Sequence, residues 1–442
     1  MSFTSTTTTT TTPSAAAASA ALTRAKAAAE GSPSWDELLG SKNWAGLIEP
    51  ELNMSLREFI LRCGNFCQAT YDAFNSTPES PNCGNSNFGK ANFFHDVMLK
   101  DASRYQVVSF LYATAGVAKE KSLLVHSRSP NPWDAESNWF GYVAVTTDKV
   151  SRAIGRREVY VAWRGTVMQE EWMSNILGAF PVPVKPLLSE CSTAYKWGRD
   201  EPKVHDGWLK IYTSQNSHSP YVKTSAREQL HAAIEAIKNR YAGEKLSIVV
   251  VGHSLGGALA TLSGFDLAEN NVAGGADDVR IAVVGFGCPE VGNPGFKDHV
   301  GDLPNLKILH VTNIHDQVPS LPDFLLTLYV PIDTAELEID SRSSPYLKRK
   351  ILISENLVDS HNLEANLHLV AGWNGKGKPF EMKVKRSLAL VNKAGDILKD
   401  EFKVPASWWS ERNKGMEYDA AADEWIFDPP PPAEQMISIS LA

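Results

Sequence analysis

The chemistry this chain could perform is concentrated in ten residues, Val251-Gly252-His253-Ser254-Leu255-Gly256-Gly257-Ala258-Leu259-Ala260, a Gly-x-Ser-x-Gly centred on Ser254. A serine hydroxyl becomes a useful nucleophile when a histidine takes its proton and a carboxylate orients that histidine. The flanks supply the strand, sharp turn and helix that such a serine needs. Leu246 to Val251 is a continuous apolar run rich in β-branched residues, and Ala258, Leu259, Leu262 and Phe265 follow at helical spacing. Gly252 and Gly256 take side chains away where strand and helix crowd the turn, so that Ser254 can hold a strained backbone with its hydroxyl presented. The same five residues recur by chance in Gly/Ser-rich loops, and it is the flanks that argue against chance here.

On an elbow of this kind the acid and the histidine follow the serine in chain order, from loops after later strands. Asp316 closes the apolar run Leu306 to Ile314, at the carboxyl end of a strand, where sites of open α/β sheets lie. Asp323, Asp333 and Asp340 follow weaker strand ends. Of the eleven histidines, His361 and His368 come after Asp316. His361 stands in the polar helix entry Asp359-Ser360-His361-Asn362, whereas His368 is embedded in an apolar helix body. A base must be reachable by substrate, so His361 is favoured and His368 reads as a hydrogen-bonded core residue. His361, Glu364 and His368 lack the spacing of the zinc-hydrolase motifs, so neither a metal nor another cofactor is expected. His205 and His253 read as structural.

An oxyanion hole needs two donors. The N–H of Leu255 is one; Thr166 is the other, at Arg164-Gly165-Thr166 after the strand Val159 to Trp163. The next segment sets Trp172, Met173, Ile176, Leu177 and Phe180 on one helical face. That stripe has two readings: a lid that meets lipid on opening, or a permanently buried helix.

The elements that must hold these residues alternate. A capping box, Ser55-x-x-Glu58, is expected to open a helix from Leu56 to Phe74, and a second, Ser225-x-x-Glu228, opens one with Leu230, Ala233, Ile234 and Ile237 on a face. Together with apolar strands at 246–251, 281–285 and 306–314, they imply an α/β fold with a mostly parallel central sheet flanked by helices. The 442 residues carry a net charge of −8, which argues against a nucleic-acid partner, and contain no run of 18 apolar residues. Five cysteines, an odd and sparse set, favour a reducing compartment. Residues 1–32 are a Thr/Ala-rich leader expected to be disordered, with organellar targeting open; 33–428 reads as a single domain and 429–442 as an irregular tail. Lys348-Arg349-Lys350 reads as a solvated loop, with attraction to an anionic membrane as the alternative.

These residues resemble the plant phospholipases A1 of the class 3, fungal-lipase-like family, in subgroup II. The resemblance is carried by Ser34-Trp35-Asp36-Glu37-Leu38-Leu39-Gly40-Ser41-Lys42-Asn43-Trp44, Leu61-Arg62-Cys63 through Tyr71-Asp72-Ala73-Phe74, Trp163-Arg164-Gly165-Thr166 and His205-Asp206-Gly207-Trp208. The elbow, His361-Asn362-Leu363-Glu364 and Pro405-x-x-Trp408-Trp409 extend it, so that it covers about 34 to 430. It implies an α/β-hydrolase fold with a lid, a triad on Ser254, Asp316 and His361, hydrolysis of the sn-1 acyl ester of phospholipids, transient peripheral contact with membrane, and a cytoplasmic location. Galactolipid, mono- and triacylglycerol lipases, or a catalytically silent signalling scaffold, are the competing readings.

Overall fold

Strands with no polar face must be covered on both sides, and those around Ser254 are. The computed structural model describes residues 32–115, 124–166, 180–189, 200–274, 279–322, 328–348, 357–410 and 412–428. In chain order the strands are β1 (Tyr105–Ala113), β2 (Asn138–Thr146), β3 (Arg157–Trp163), the short β4 (Pro181–Pro183) and β5 (Lys203–His205), β6 (Leu246–His253), β7 (Ile281–Phe286), β8 (Leu306–Asn313) and β9 (Ala335–Ile339). A C-terminal hairpin adds β10 (Met416–Asp419) and β11 (Glu424–Phe427). The seven-stranded central sheet has the order β1-β2-β3-β6-β7-β8-β9. From β3 to β9 every pair is parallel, and β1 and β2 are joined to that block antiparallel.

The period-2 alternation of β6 divides the core. Ile248 and Val250 enter one apolar cluster while Val249 and Val251 enter another on the opposite face. Helices α1 (Met54–Ala73) and α6 (Leu363–Gly372) pack on the second face; α2 (Asp206–Thr213), α3 (Ala226–Arg240), α4 (Leu255–Glu269) and α5 (Pro294–Gly301) pack on the first. Every residue of α4 is buried, as a helix that runs directly beneath the sheet should be.

The α3 capping box forms as expected: Ser225 accepts from Glu228 N–H, and the Glu228 carboxylate accepts from Ser225 N–H. The box expected at Ser55 does not form. Helix α1 begins two residues earlier than the spacing suggested, and Asn53 caps it by accepting from the N–H groups of Ser55 at 2.9 Å and Leu56 at 3.4 Å. Asparagine is among the strongest N-caps, so the helix starts where that side chain can reach. Cys63, Cys67, Cys83 and Cys288 are buried free thiols, and Cys191 lies outside the described residues.

Candidate active site

Strand β6 hands the chain to α4 through Ser254, whose φ of 58° and ψ of −130° are a conformation that L-residues rarely adopt. Close packing on both sides of the turn holds it there. A Cβ on residue 252 would lie 1.9 Å from the Gly256 carbonyl oxygen, and one on residue 256 would lie 2.3 Å from the Trp163 oxygen. Ser254 N–H donates to the Phe286 carbonyl of β7 at 2.9 Å, and its side chain makes no cap bond with the helix it opens. The hydroxyl is therefore left for chemistry.

At the end of β8, Asp316 is buried and its Oδ1 accepts from Val318 N–H at 3.0 Å. Its Oδ2 accepts from His361 Nδ1 at 2.7 Å. That bond fixes the proton of a neutral imidazole on Nδ1 and leaves Nε2 as the basic nitrogen. Gly287, at a φ of +50°, passes over the pair; a Cβ there would sit 2.8 Å from Asp316 Oδ2 and 2.9 Å from the His361 ring.

His361 is buried and held from behind by groups distant in sequence. Asn313, the last residue of β8, donates to the Ser360 carbonyl at 3.0 Å. His253 Nε2 lies 2.7 Å from the His361 carbonyl oxygen, and Tyr71 Oη lies 2.7 Å from His253 Nδ1. A carbonyl only accepts, so His253 carries its proton on Nε2 and its Nδ1 accepts from the Tyr71 hydroxyl. Burial, with the neighbouring His361, holds the His253 imidazole well below its ordinary range, and burial pushes the Tyr71 phenol up. Both stay neutral and act as a fixed strut. The strut joins α1 to the backbone of His361 through a residue of the elbow itself.

On the opposite side, Leu255 N–H is in the first turn of α4, where no intrahelical acceptor exists. The Thr166 hydroxyl oxygen is buried without a hydrogen bond among the described residues. The loop that carries it is clamped by Arg164, whose guanidinium donates to the carbonyls of Trp139 at 3.2 Å and Gly165 at 2.8 Å and lies 3.6 Å over the Phe74 ring. Burial pushes that guanidinium down to about 9. A cavity of about 700 Å³ opens beside Thr166, His253 and His361.

The arrangement of elbow, acid and histidine can now be set beside known proteins. The family model for lipase (class 3) matches residues 160–325. Over 414 residues, 91% of this chain and 98% of the other, the sequence is 50% identical to phospholipase A1-IIdelta of Arabidopsis thaliana. The chain belongs to the class 3 lipases, among the phospholipases A1-II. It is also 45% identical over 388 residues to phospholipase A1-II 5 of Oryza sativa subsp. indica, covering 87% of this chain and 81% of that one. Lip2 lipase from Yarrowia lipolytica matches 66% of this chain and 80% of its own, at 20% identity and a TM-score of 0.41. At that distance the α/β-hydrolase reading rests on this lipase's own sheet order and elbow.

His368 of the lipase is a buried core histidine. Its Nε2 meets the Ser344 hydroxyl at 2.9 Å, its ring stacks on Phe380, and burial pushes it down to about 4. Glu364 pairs with Arg386, and no cluster of metal-ligating side chains occurs among the described residues. His205 stacks on Trp208 and accepts from its N–H, capping α2. Lys348 is neutralised by Asp396 at 2.7 Å and Asp400 at 2.8 Å, so it offers no open positive charge; Arg349 and Lys350 are outside the described residues. So are Asp323 and four members of the candidate lid stripe, Trp172, Met173, Ile176 and Leu177, while Phe180 is 72% exposed. Sequence reasoning passed over Tyr71, Asn313 and Gly287, and gave His253 only a structural part. A tyrosine in the last turn of a helix and an asparagine at a strand end carry no local signal of the histidine they support.

Proposed function

We propose that this lipase hydrolyses the sn-1 ester of glycerophospholipids. The observation that carries the reading is the 2.7 Å bond from His361 Nδ1 to buried Asp316, assembled on the same sheet edge as the Ser254 elbow. In the first half-reaction Ser254 Oγ attacks the acyl carbon and gives its proton to His361 Nε2. Negative charge gathers on the acyl oxygen, toward Leu255 N–H and Thr166. The carbon–oxygen ester bond then breaks, and His361 returns the proton to the departing glycerol oxygen. Water repeats the sequence on the acyl-enzyme, releasing a fatty acid and restoring Ser254. Asp316 accepts from His361 Nδ1–H throughout and holds the imidazole in one tautomer.

Support for a phospholipid substrate comes from the relatives, whose names are phospholipase A1-II. The test is phosphatidylcholine labelled differently at sn-1 and sn-2, with release of the sn-1 label expected. Selective sn-2 release, or turnover of galactolipid or monoacylglycerol alone, would replace this reading with the corresponding lipase. A fluorophosphonate probe labels an activated serine, and failure to label Ser254 would leave a silent scaffold.

A further inference from the structure

The cavity of about 700 Å³ is lined by Thr166, His253 and His361, and neither Ser254 nor Leu255 contributes to its wall. Its wall thus takes in both the base, His361, and one oxyanion donor, Thr166, so it adjoins the reacting ester. Acyl transfer gives the part beside His361 a chemical identity. The histidine hands its proton to the oxygen of the leaving alcohol, so the alcohol half of the ester must reach past the imidazole while the acyl half stays with the serine and the oxyanion donors. For cleavage at sn-1 the alcohol half is the glycerol with its phosphodiester head. The cavity is also of the size that commonly encloses a small-molecule ligand.

Its lining is polar in a specific way. Among the described residues Asp72 and Lys393 are its one carboxylate and one ammonium; they are buried and paired at 2.6 Å. Asp72 is filled by that bond and by Gln68 Nε2 at 2.9 Å. Lys393 Nζ also lies 4.0 Å over the Trp409 ring, and of its three N–H donors this hydrogen bond uses one. The exposed rim carries Ser76, Thr77 and Asn87, hydroxyls and an amide that can replace water around a polar group. Among the described lining residues the fixed charges cancel, so they offer donors for a phosphate but no net positive charge to favour an anionic head over one that carries its own cation.

We propose that this cavity is the head-group site, that it receives a zwitterionic glycerophospho head, and that Lys393 donates to the phosphodiester. The proposal rests on the phospholipase reading of the triad. Ala394 is exposed on the cavity wall, where a larger side chain fills space without entering the core. The experiment compares kcat/KM for phosphatidylcholine and for 1-monoacylglycerol in the same mixed micelles, and for p-nitrophenyl butyrate in solution. In Ala394→Trp the ratio of phosphatidylcholine to monoacylglycerol turnover should fall at least tenfold. Asp72→Asn/Lys393→Met removes the pair without stranding a buried charge and should lower the same ratio, with p-nitrophenyl butyrate turnover and melting temperature reporting that the fold survives. If the wild type cleaves phosphatidylcholine at sn-1 and Ala394→Trp leaves the ratio unchanged, the head-group site is wrong and the phospholipase reading stands. A wild type that cleaves p-nitrophenyl butyrate but no phospholipid overturns both.

Discussion

The two halves of the candidate catalytic machinery are built in opposite ways. Ser254 is held by neighbours close in sequence: Gly252, Gly256 and the first turn of α4 fix its backbone, with β3 and β7 closing the space around it. His361 is held by Tyr71, His253, Asn313 and Asp316, from three places in the chain: α1, the elbow and the end of β8. A locally encoded turn fails as a unit, because any added atom collides with backbone. A histidine held by several distant hydrogen bonds fails by degrees, since each bond restrains only part of its freedom. The positioning of the base is thus the more adjustable half, and the positioning of the nucleophile the more rigid.

Four substitutions would break or sharpen that contrast. Ser254→Ala should lower turnover by about 10⁶-fold with an unchanged melting temperature, because the methyl group keeps the elbow and loses the hydroxyl. A variant retaining more than about a hundredth of the wild-type rate would end the nucleophile assignment. Gly252→Ala should abolish activity and also destabilise, by about 1–3 kcal/mol, since its Cβ would press on the Gly256 oxygen 1.9 Å away. Full activity with a normal melting temperature would mean that the turn is not rigid. Tyr71→Phe removes the hydroxyl that orients His253 and leaves a ring of the same shape. The fold should survive while kcat falls about 10- to 100-fold, in parallel with the rate of fluorophosphonate labelling. A loss confined to KM would instead make Tyr71 a substrate contact.

The smallest effect on catalysis is expected at His368. His368→Ala should cost about 1–3 kcal/mol of stability at pH 7.5 and leave turnover close to wild type, because the Ser344 hydroxyl loses a buried partner. An inactive but stable variant would exchange the roles of the two late histidines. The same residue gives a pH dependence with a definite sign. In the fold it is pushed down to about 4 by burial, against an ordinary value of 6.5, so the unfolded chain binds the proton more readily between those limits. Its contribution is full above pH 6.5 and is lost as pH falls toward 4, by about 3 kcal/mol in total. Denaturant titrations across that range should show a shallower decline in His368→Ala than in wild type.

The α/β pattern and the parallel strands were legible in the residues. Continuous β-branched runs have one stable environment, a sheet covered on both faces, and β6, β7 and β8 lie within two residues of where their apolar runs end. Strands β1 and β2 were not read. β2 is buried along all nine residues, yet it begins with Asn138 and holds Gly141 and Tyr142, which interrupt the apolar signal. Asn138 is buried because its side chain bonds the backbone of Val125 in both directions, at 2.7 and 2.8 Å, a partnership invisible from composition. The Ser55 capping box illustrates the reverse error. A correct local motif was present, but Asn53, two residues upstream, starts the helix earlier and takes the Ser55 N–H that the Glu58 carboxylate would have accepted.

The sequence by itself determined the elbow, because a strained serine between two glycines depends on atoms a few residues away. It also limited the late histidines to two and the acid to the end of an apolar strand, because chain order and burial pattern are both written along the chain. Tertiary structure alone decided what lies behind His361. The carbonyl of a loop residue was brought to the ring of His253, and that ring to a hydroxyl on α1, by the packing of helices on one sheet face. Hydrogen bonds between groups so far apart in sequence depend on three-dimensional distance and direction, and neither is fixed until the sheet has closed its core.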